Sequence, residues 1–391
     1  MQSILFQREI IIKFRNHVIF SEENVLYFFY FARNILGLIM VISPVAGLLF
    51  IDFNPDLFVI FSLASVLGIP VGLILLKILP FRLLNILSAS VFLVSAFRLT
   101  LTGAAGESWA SLACMGLCFP MLAAILPVNI VSGWFRSSKV RILGMVWSIS
   151  LVSAVILGII MKRFTYTAFI ISVAMMIAGT GFLLQTPPHL PVRFTAAAPD
   201  SFHNAHQQKS SLKLFIFFLC ISFTTGLAFM MHEAADIDFF LSEKALFIAG
   251  LCAGPAAAAL LGIFRGIYSS CIWLLFLAEI TMFCSGQAAG AVLAGYSVAL
   301  SSGLCLGGLP VALPVMAYYV CGPVNYNDSF CRILTSIPAG LLLSAMVKML
   351  VVNKTFLPWI SAGAMILLIF AFFTIFSAWK RRLFLLKNTG I

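Results

Sequence analysis

The sequence predicts an all-α membrane protein of twelve transmembrane helices, arranged as two pseudo-symmetric six-helix halves. Three observations carry that reading. Of 391 residues, 62% are hydrophobic and only 9% are charged, with a mean hydropathy of +1.10. A water-soluble domain needs about a quarter of its residues charged to cover its surface, so the surroundings of this chain are not water. Its apolar stretches are also unbroken: Ala364 to Phe373 is wholly apolar, and Phe356 to Trp379 carries no charge. Strands of a membrane barrel would alternate with period two, whereas helices satisfy their backbone groups inside lipid without alternating. Finally, the stretches recur at a spacing of one ~20-residue span and one short loop, which leaves room for about a dozen.

In chain order the spans are predicted at 26–50, 56–79, 82–101, 109–132, 141–160 and 166–185. The second set falls at 212–231, 245–264, 267–285, 290–320, 331–352 and 357–379. The tenth is too long for one straight span, and Pro310 and Pro314 are expected to break or bend it, because proline removes a backbone donor. Residues 1–25 carry Arg8, Glu9, Lys13 and Arg15 and lack a small-residue cleavage site after an apolar core. They read as a cytoplasmic tail with an amphipathic stretch rather than a cleaved signal. Residues 186–211 form the one long polar gap, with Pro187, Pro188 and Pro191 and no apolar periodicity, and read as a linker between halves at 26–185 and 212–379. Residues 380–391 form a second cytoplasmic tail.

Orientation follows from counting Lys and Arg. With both termini cytoplasmic, the inner segments hold 17 of them and the outer ends 6 (Arg98, Lys162, Arg163, Lys244, Lys348 and Lys354). That asymmetry obeys the positive-inside rule, with Lys162-Arg163 as its one clear dissent. The acidic residues Asp52, Asp56, Glu107, Glu233, Asp236, Asp238 and Glu243 fall on the outer side and point to a cationic solute.

The net charge of +11 does not mark a nucleic-acid binder, since the basic residues are scattered through short gaps instead of forming a phosphate-binding face. The 9 Cys residues contain no CxxC pair. Cys114 and Cys118 share a helix face but have no further ligand, and His189, His203 and His206 match no ligand spacing. No metal and no cofactor is expected.

The halves resemble each other. Gly68-Ile-Pro-Val-Gly72 precedes Phe81-Arg82 in the first half, and Gly250-Leu-Cys-Ala-Gly254 precedes Phe264-Arg265 in the second. Pro120 and Pro127 of span four match Pro310 and Pro314 of span ten. A parallel repeat of two six-span halves is one of the architectures of secondary transporters. The segment Gly116-Leu-Cys-Phe-Pro120, then Ser132-Gly133-Trp134-Phe135-Arg136 with Lys139 and Arg141, then a small-residue helix ending at Gly158 resembles spans four and five of the major facilitator superfamily. Two further stretches, Asn34 through Pro44-Val45-Ala46 and Gly68 through Pro80-Phe81-Arg82-Leu83, resemble its FLVCR-type branch. That branch comprises the feline leukaemia virus subgroup C receptor-related solute carriers. Gly307-Gly308-Leu309-Pro310 with Tyr318-Tyr319 and Pro323 resembles the tenth span of the same branch. Two departures matter. The acidic residue of the usual inner-loop motif is missing after Gly72, where Leu76-Lys77 stands. Ile39 occupies the place of the aromatic residue found in members that handle choline-like cations. A quaternary ammonium needs aromatic faces, so neither choline nor haem handling carries over.

A charge at mid-bilayer costs about 2.5–3.5 kcal/mol on insertion scales and marks a candidate site. Arg33 with Asn34 in span one, Glu279 in span nine and His232-Glu233 at the outer end of span seven qualify. For each there is a plainer reading: Arg33 snorkels to the inner face, Glu279 pairs structurally, and His232-Glu233 is a solvated helix end. Neutral groups expected at the cavity are Asn129, Trp147, Gln287 and the pair Tyr318-Tyr319, of which at most one tyrosine can face a substrate. The basic inner-loop residues Arg82, Arg136, Arg141 and Arg265 are expected to gate.

No phosphate-binding loop, HExxH or aspartate-rich pair occurs, so an enzyme is not expected. The sequence predicts a monomeric secondary transporter of a small organic solute, working by alternating access among membrane lipids. A lipid-modifying membrane enzyme would need polar catalytic groups clustered at one membrane face. A non-transporting receptor would show sealed halves without a polar cavity.

Overall fold

The structure is a computed structural model. It describes residues 22–47, 55–102, 108–134, 139–163, 165–185, 201–233, 241–287, 292–321, 326–350 and 357–389. Every secondary-structure element among them is helical. The first six helices are α1 (Glu22–Gly47), α2 (Pro55–Ile78), α3 (Phe81–Thr102), α4 (successive segments Ser108–Pro120, Met121–Ile125 and Leu126–Trp134), α5 (Lys139–Arg163) and α6 (Thr165–Gln185). The second six are α7 (Ser201–Glu233), α8 (Leu241–Phe264), α9 (Ile267–Gln287), α10 (Val292–Cys321), α11 (Tyr326–Leu334 and Ser336–Leu350) and α12 (Leu357–Thr389). Nine of these are long and apolar enough to cross a membrane among the described residues. The other three, α1, α6 and α12, contain the shorter apolar stretches Ala32–Ala46, Phe169–Leu184 and Ala362–Ser377.

Helix packing repeats with a shift of six. In the first half α2 packs on α4, α1 on α5 and α6, and α3 on α4 and α6. In the second half α8 packs on α10, α7 on α11 and α12, and α9 on α10 and α12. The most intimate of these pairs show why the Gly pairs recur. A Cβ added to Gly68 of α2 would lie 2.4 Å from the Leu117 carbonyl oxygen of α4, and one added to Gly72 would lie 2.2 Å from Met121 Sδ. In the other half, Cβ atoms on Gly250 and Gly254 of α8 would lie 2.6 and 2.5 Å from the Leu300 and Leu304 carbonyl oxygens of α10. α10 answers with its own pair: Gly303 and Gly307 meet the Phe247 and Leu251 carbonyls of α8 at 2.2 and 2.3 Å. Lipid tails are as apolar as leucine, so helices in a bilayer associate through close packing and hydrogen bonds, for which small residues clear the way.

Hydroxyl groups add polar ties in the second half. Thr281 and Ser301 hydrogen-bond at 2.8 Å between α9 and α10. Ser270 donates to the Ala258 carbonyl of α8 at 2.8 Å, and Ser222 of α7 to the Ser336 carbonyl of α11 at 3.0 Å. Lys213 Nζ donates to Ser377 Oγ of α12 at 2.6 Å. The turn between α8 and α9 needs Gly266, whose φ of +87° is left-handed backbone.

Three expectations change. The tenth span is one unbroken 30-residue helix through Pro310 and Pro314, roughly 45 Å long at 1.5 Å per residue. Its neighbours α7, α8 and α9 hold it on three sides, and a bilayer helix tolerates proline where such neighbours absorb the lost hydrogen bond. The proline-linked irregularity lies instead in α4, where a π turn over Met121–Ile125 follows Pro120, and Leu126 N–H bonds the Met121 carbonyl. Finally, α7 starts at Ser201 and α12 runs to Thr389, so 201–211 of the expected linker and most of the second tail are helical. Ala205, Gln207, Gln208 and Lys209 are good helix formers with no proline among them. The expected amphipathic stretch of the first tail lies outside the described residues.

Gly303→Ala should destabilise the protein by about 1–3 kcal/mol through overpacking against α8, whereas Gly181→Ala, with nothing within 4 Å of its Cβ position, should not. Thermal unfolding of the two variants in detergent checks this.

Candidate functional site

The halves meet where α5 packs against α8 and α10, and where α11 packs against α2. The tightest described crossing is that of α5 with α8. A Cβ on Gly144 would lie 2.4 Å from Ala259 Cβ and 3.1 Å from the Pro255 carbonyl. One on Gly262 would lie 3.1 Å from Val140 Cγ1. Val140 is the second residue of α5, and Gly262 lies two residues from the end of α8. The seal is therefore at the end of the bundle that holds the start of α1 and the end of α12, the inner end by the charge count.

Trp147 is one turn above Gly144 on the same face of α5 and is buried at 6% exposure. It stands where α5 leaves the tight crossing. Asn129 is half-buried in the last segment of α4, which packs on α1 and α5. Asn34 is buried in α1. Its neighbour Arg33 is half-buried, with its guanidinium 5.6 Å from the ring centroid of Tyr30, one turn earlier. Lys213, near the start of the apolar part of α7, is tied to α12.

The two tyrosines divide as helix geometry requires. Tyr318 packs edge-on against Tyr326 of α11 with ring centroids 5.4 Å apart, and Tyr326 stacks on Phe330 at 5.5 Å. Tyr326 and Phe330 are buried, so these three rings pack together where α10 ends and α11 begins. Tyr319 faces the other way, 46% exposed, 6.2 Å from the ring of Tyr268 in α9.

Glu279 is not brought to the junction of the halves. It is half-buried on α9, whose packing partners are α7, α8, α10 and α12. At spacings of seven, three and four residues it shares a face with the exposed side chains Ile272, Phe276 and Phe283. His232, Glu233 and Gln287 end α7 and α9, but their side chains lie outside the described residues, as does the whole of Arg136. Arg82 and Arg141 are exposed in the first turns of α3 and α5, and Arg265 is exposed in the turn before α9. No group of three metal-ligating side chains occurs among the described residues.

Sequence reasoning missed the small hydroxyls and thiols at the helix contacts. Thr225 of α7 donates to Cys305 Sγ of α10 at 3.4 Å, and Ser150 Oγ of α5 is buried with no hydrogen-bond partner among the described residues. It also missed the Tyr326–Phe330 pair. The small-residue spacing of Gly303 and Gly307 was a usable signal for the α8–α10 contact, but lone hydroxyls in apolar spans give none.

Six-and-six helices with equivalent packing, joined by α2–α11 and α5–α8, define the major facilitator fold. No protein-family model matches the chain, and neither does any curated protein sequence. Solved structures do match. A bacterial homologue of the iron transporter ferroportin, in an outward-facing state, superposes with a TM-score of 0.65 at 11% identity, covering 89% of this chain and 99% of that one. The Escherichia coli fucose:proton symporter FucP superposes with a TM-score of 0.60 at 14% identity, covering 89% and 99%. A second structure of FucP, in the outward conformation, gives 0.59 at 15%, covering 88% and 98%.

Glu279→Gln should leave folding and any pH dependence of transport unchanged, because the residue lies away from the contact between halves. A shifted pH profile of solute flux would contradict that placement.

Proposed function

We propose that the chain is a secondary transporter moving a small organic solute by alternating access, with both termini on the inner side. One observation carries this reading: two halves built alike touch through equivalent helix pairs, α5 with α8 and α11 with α2. Halves related in this way can rock about a central site and expose it to either side in turn. The described state, with α5 and α8 in near contact at their inner ends, is then the one closed inside. The ferroportin homologue, whose fold this chain shares, is in an outward-facing state, and one FucP structure is in the outward conformation.

In this reading Asn34, Asn129 and Trp147 line the inner part of the path on the first half. Trp147 is the piece most directly exposed when α5 leaves α8. The exposed Arg82, Arg141 and Arg265 mark the inner rim that separates when the halves rock. The fit to the FLVCR-type branch rests on the spans quoted above, and that branch's choline handling does not carry over with it, since Ile39 stands in mid-α1 in place of an aromatic ring.

The test is flux in proteoliposomes across a panel of labelled small solutes, followed by locking the inner end. A Val140→Cys and Gly262→Cys pair in a background lacking the 9 native cysteines should cross-link, because Val140 Cγ1 lies within 3.1 Å of the Gly262 Cβ position. Oxidation should cut flux of the transported solute by roughly tenfold or more if rocking carries transport, and reductant should restore it. Full flux through the cross-linked protein would sink the proposal.

A further inference from the structure

Between α3 and α4 lies a cavity of about 10 Å³. Its lining comes from Asn85 and Ser88 of α3, and from Met121, Leu122 and Leu126 of α4, with Phe81 and Leu84 closing it. Asn85 and Ser88 are buried, at 5% and 6% exposure. Asn85 Oδ1 has no hydrogen-bond partner among the described residues. A buried polar atom of this kind calls for a partner, and the space beside it is about what one water needs, roughly 10–15 Å³.

The backbone of α4 supplies a second acceptor by simple chemistry. Through the π turn, Leu126 N–H bonds the carbonyl five residues back, at Met121. In the same register residue 127 would bond the Leu122 carbonyl, but Pro127 has no N–H to give. Leu122 is itself a lining residue. The Asn85 amide oxygen, short of a donor, and the Ser88 hydroxyl therefore border one water-sized space, and Leu122, whose carbonyl loses its π-register donor at Pro127, stands in the wall of that space.

The matching junction of the second half is filled by side chains. There Leu274 of α9 fills the space against Gly308 of α10, whose Cβ position is 2.7 Å from Leu274 Cδ2 and 3.4 Å from the Trp273 ring. Cys305 Sγ donates directly to the Leu274 carbonyl at 3.5 Å. Leu274 stands 186 positions after Ser88, the same offset that separates the ends of α2 and α8 (Ile78 and Phe264) and the starts of α3 and α9 (Phe81 and Ile267).

We propose that the Asn85–Ser88 cavity is a hydration site holding one water. The water donates to Asn85 Oδ1 and to the Leu122 carbonyl and accepts from the Ser88 hydroxyl, and so serves the π turn of α4 as its missing partner. A cation is the poorer occupant, because every polar group lining the space is neutral and the site lies inside the bilayer span.

X-ray radiolysis footprinting of the full-length protein in lipid nanodiscs tests this, since hydroxyl radicals form at bound waters and oxidise the nearest thioether. Met121 should convert to sulfoxide roughly tenfold faster than the fully buried Met115, Met176 and Met316. Ser88→Leu, which fills the space as Leu274 does in the other half, should drop Met121 to their level, as should Asn85→Leu. Rates should be equal in sodium chloride and choline chloride. Met121 oxidising no faster than those three in the wild-type protein would overturn the proposal. So would fast oxidation that persists in a monodisperse Ser88→Leu variant, and a rate that depends on sodium would give the site to a cation instead.

Discussion

The rest of the structure depends on how closely α2 approaches α4 and α8 approaches α10. In water, burying apolar surface would drive such contacts, but in lipid that drive is absent, and backbone-to-backbone proximity must supply the attraction. Glycine makes it possible: with hydrogen in place of Cβ, Gly68, Gly250, Gly303 and Gly307 let a neighbouring carbonyl come within 2.2–2.6 Å of where Cβ would be. Each of these helix pairs is a rigid rail within its half. The looser joints are between halves, where, among the described residues, α5 and α8 come as close at Gly144.

The rails explain why the fold was legible. Hydropathy located the spans, and the Gly-xxx-Gly pairs at 68/72 and 250/254 lie where the helices come closest. Composition forced helices in lipid, and small residues at helix spacing forced particular neighbours. What was misread follows from the same physics. Two prolines in a long apolar stretch suggested a break in α10, yet a helix clamped by three others has nowhere to bend. Two prolines seven apart in α4 bracket a π turn instead, where Pro127 has no N–H to give the carbonyl behind it. Sequence alone could not weigh those surroundings.

The candidate site was less legible, for a reason that Glu279 makes plain. A lone carboxylate in an apolar span reads as central because its cost is high anywhere in the bilayer, but cost does not encode direction. Direction came from neighbours at i−7, i−3 and i+4, whose exposure sets the face. The same reasoning separated Tyr318 from Tyr319, which differ by about 100° around the helix. Arg33 shows the opposite case: its pairing with Tyr30 three residues earlier was present in the sequence as a helical spacing, and a charge near an inner helix end needs no central role.

The two halves are alike in packing and unlike in how they satisfy their polar groups, and that difference bears on which half deforms. In the second half, hydroxyl and thiol hydrogen bonds tie α9 to α8 and α10, and Leu274 fills the space beside Gly308. In the first, α4 changes helical register midway and stands against a cavity. A water can follow a shifting carbonyl where a packed leucine cannot, since it reorients without leaving a void. A rocking motion that needs bending in one half would therefore concentrate in α4, near its last segment, which carries Asn129 and packs against α5. In the proposed transport cycle the second half would then move as a block, with α10 as its unbroken strut. Alternation between like halves does not require that they share the strain equally.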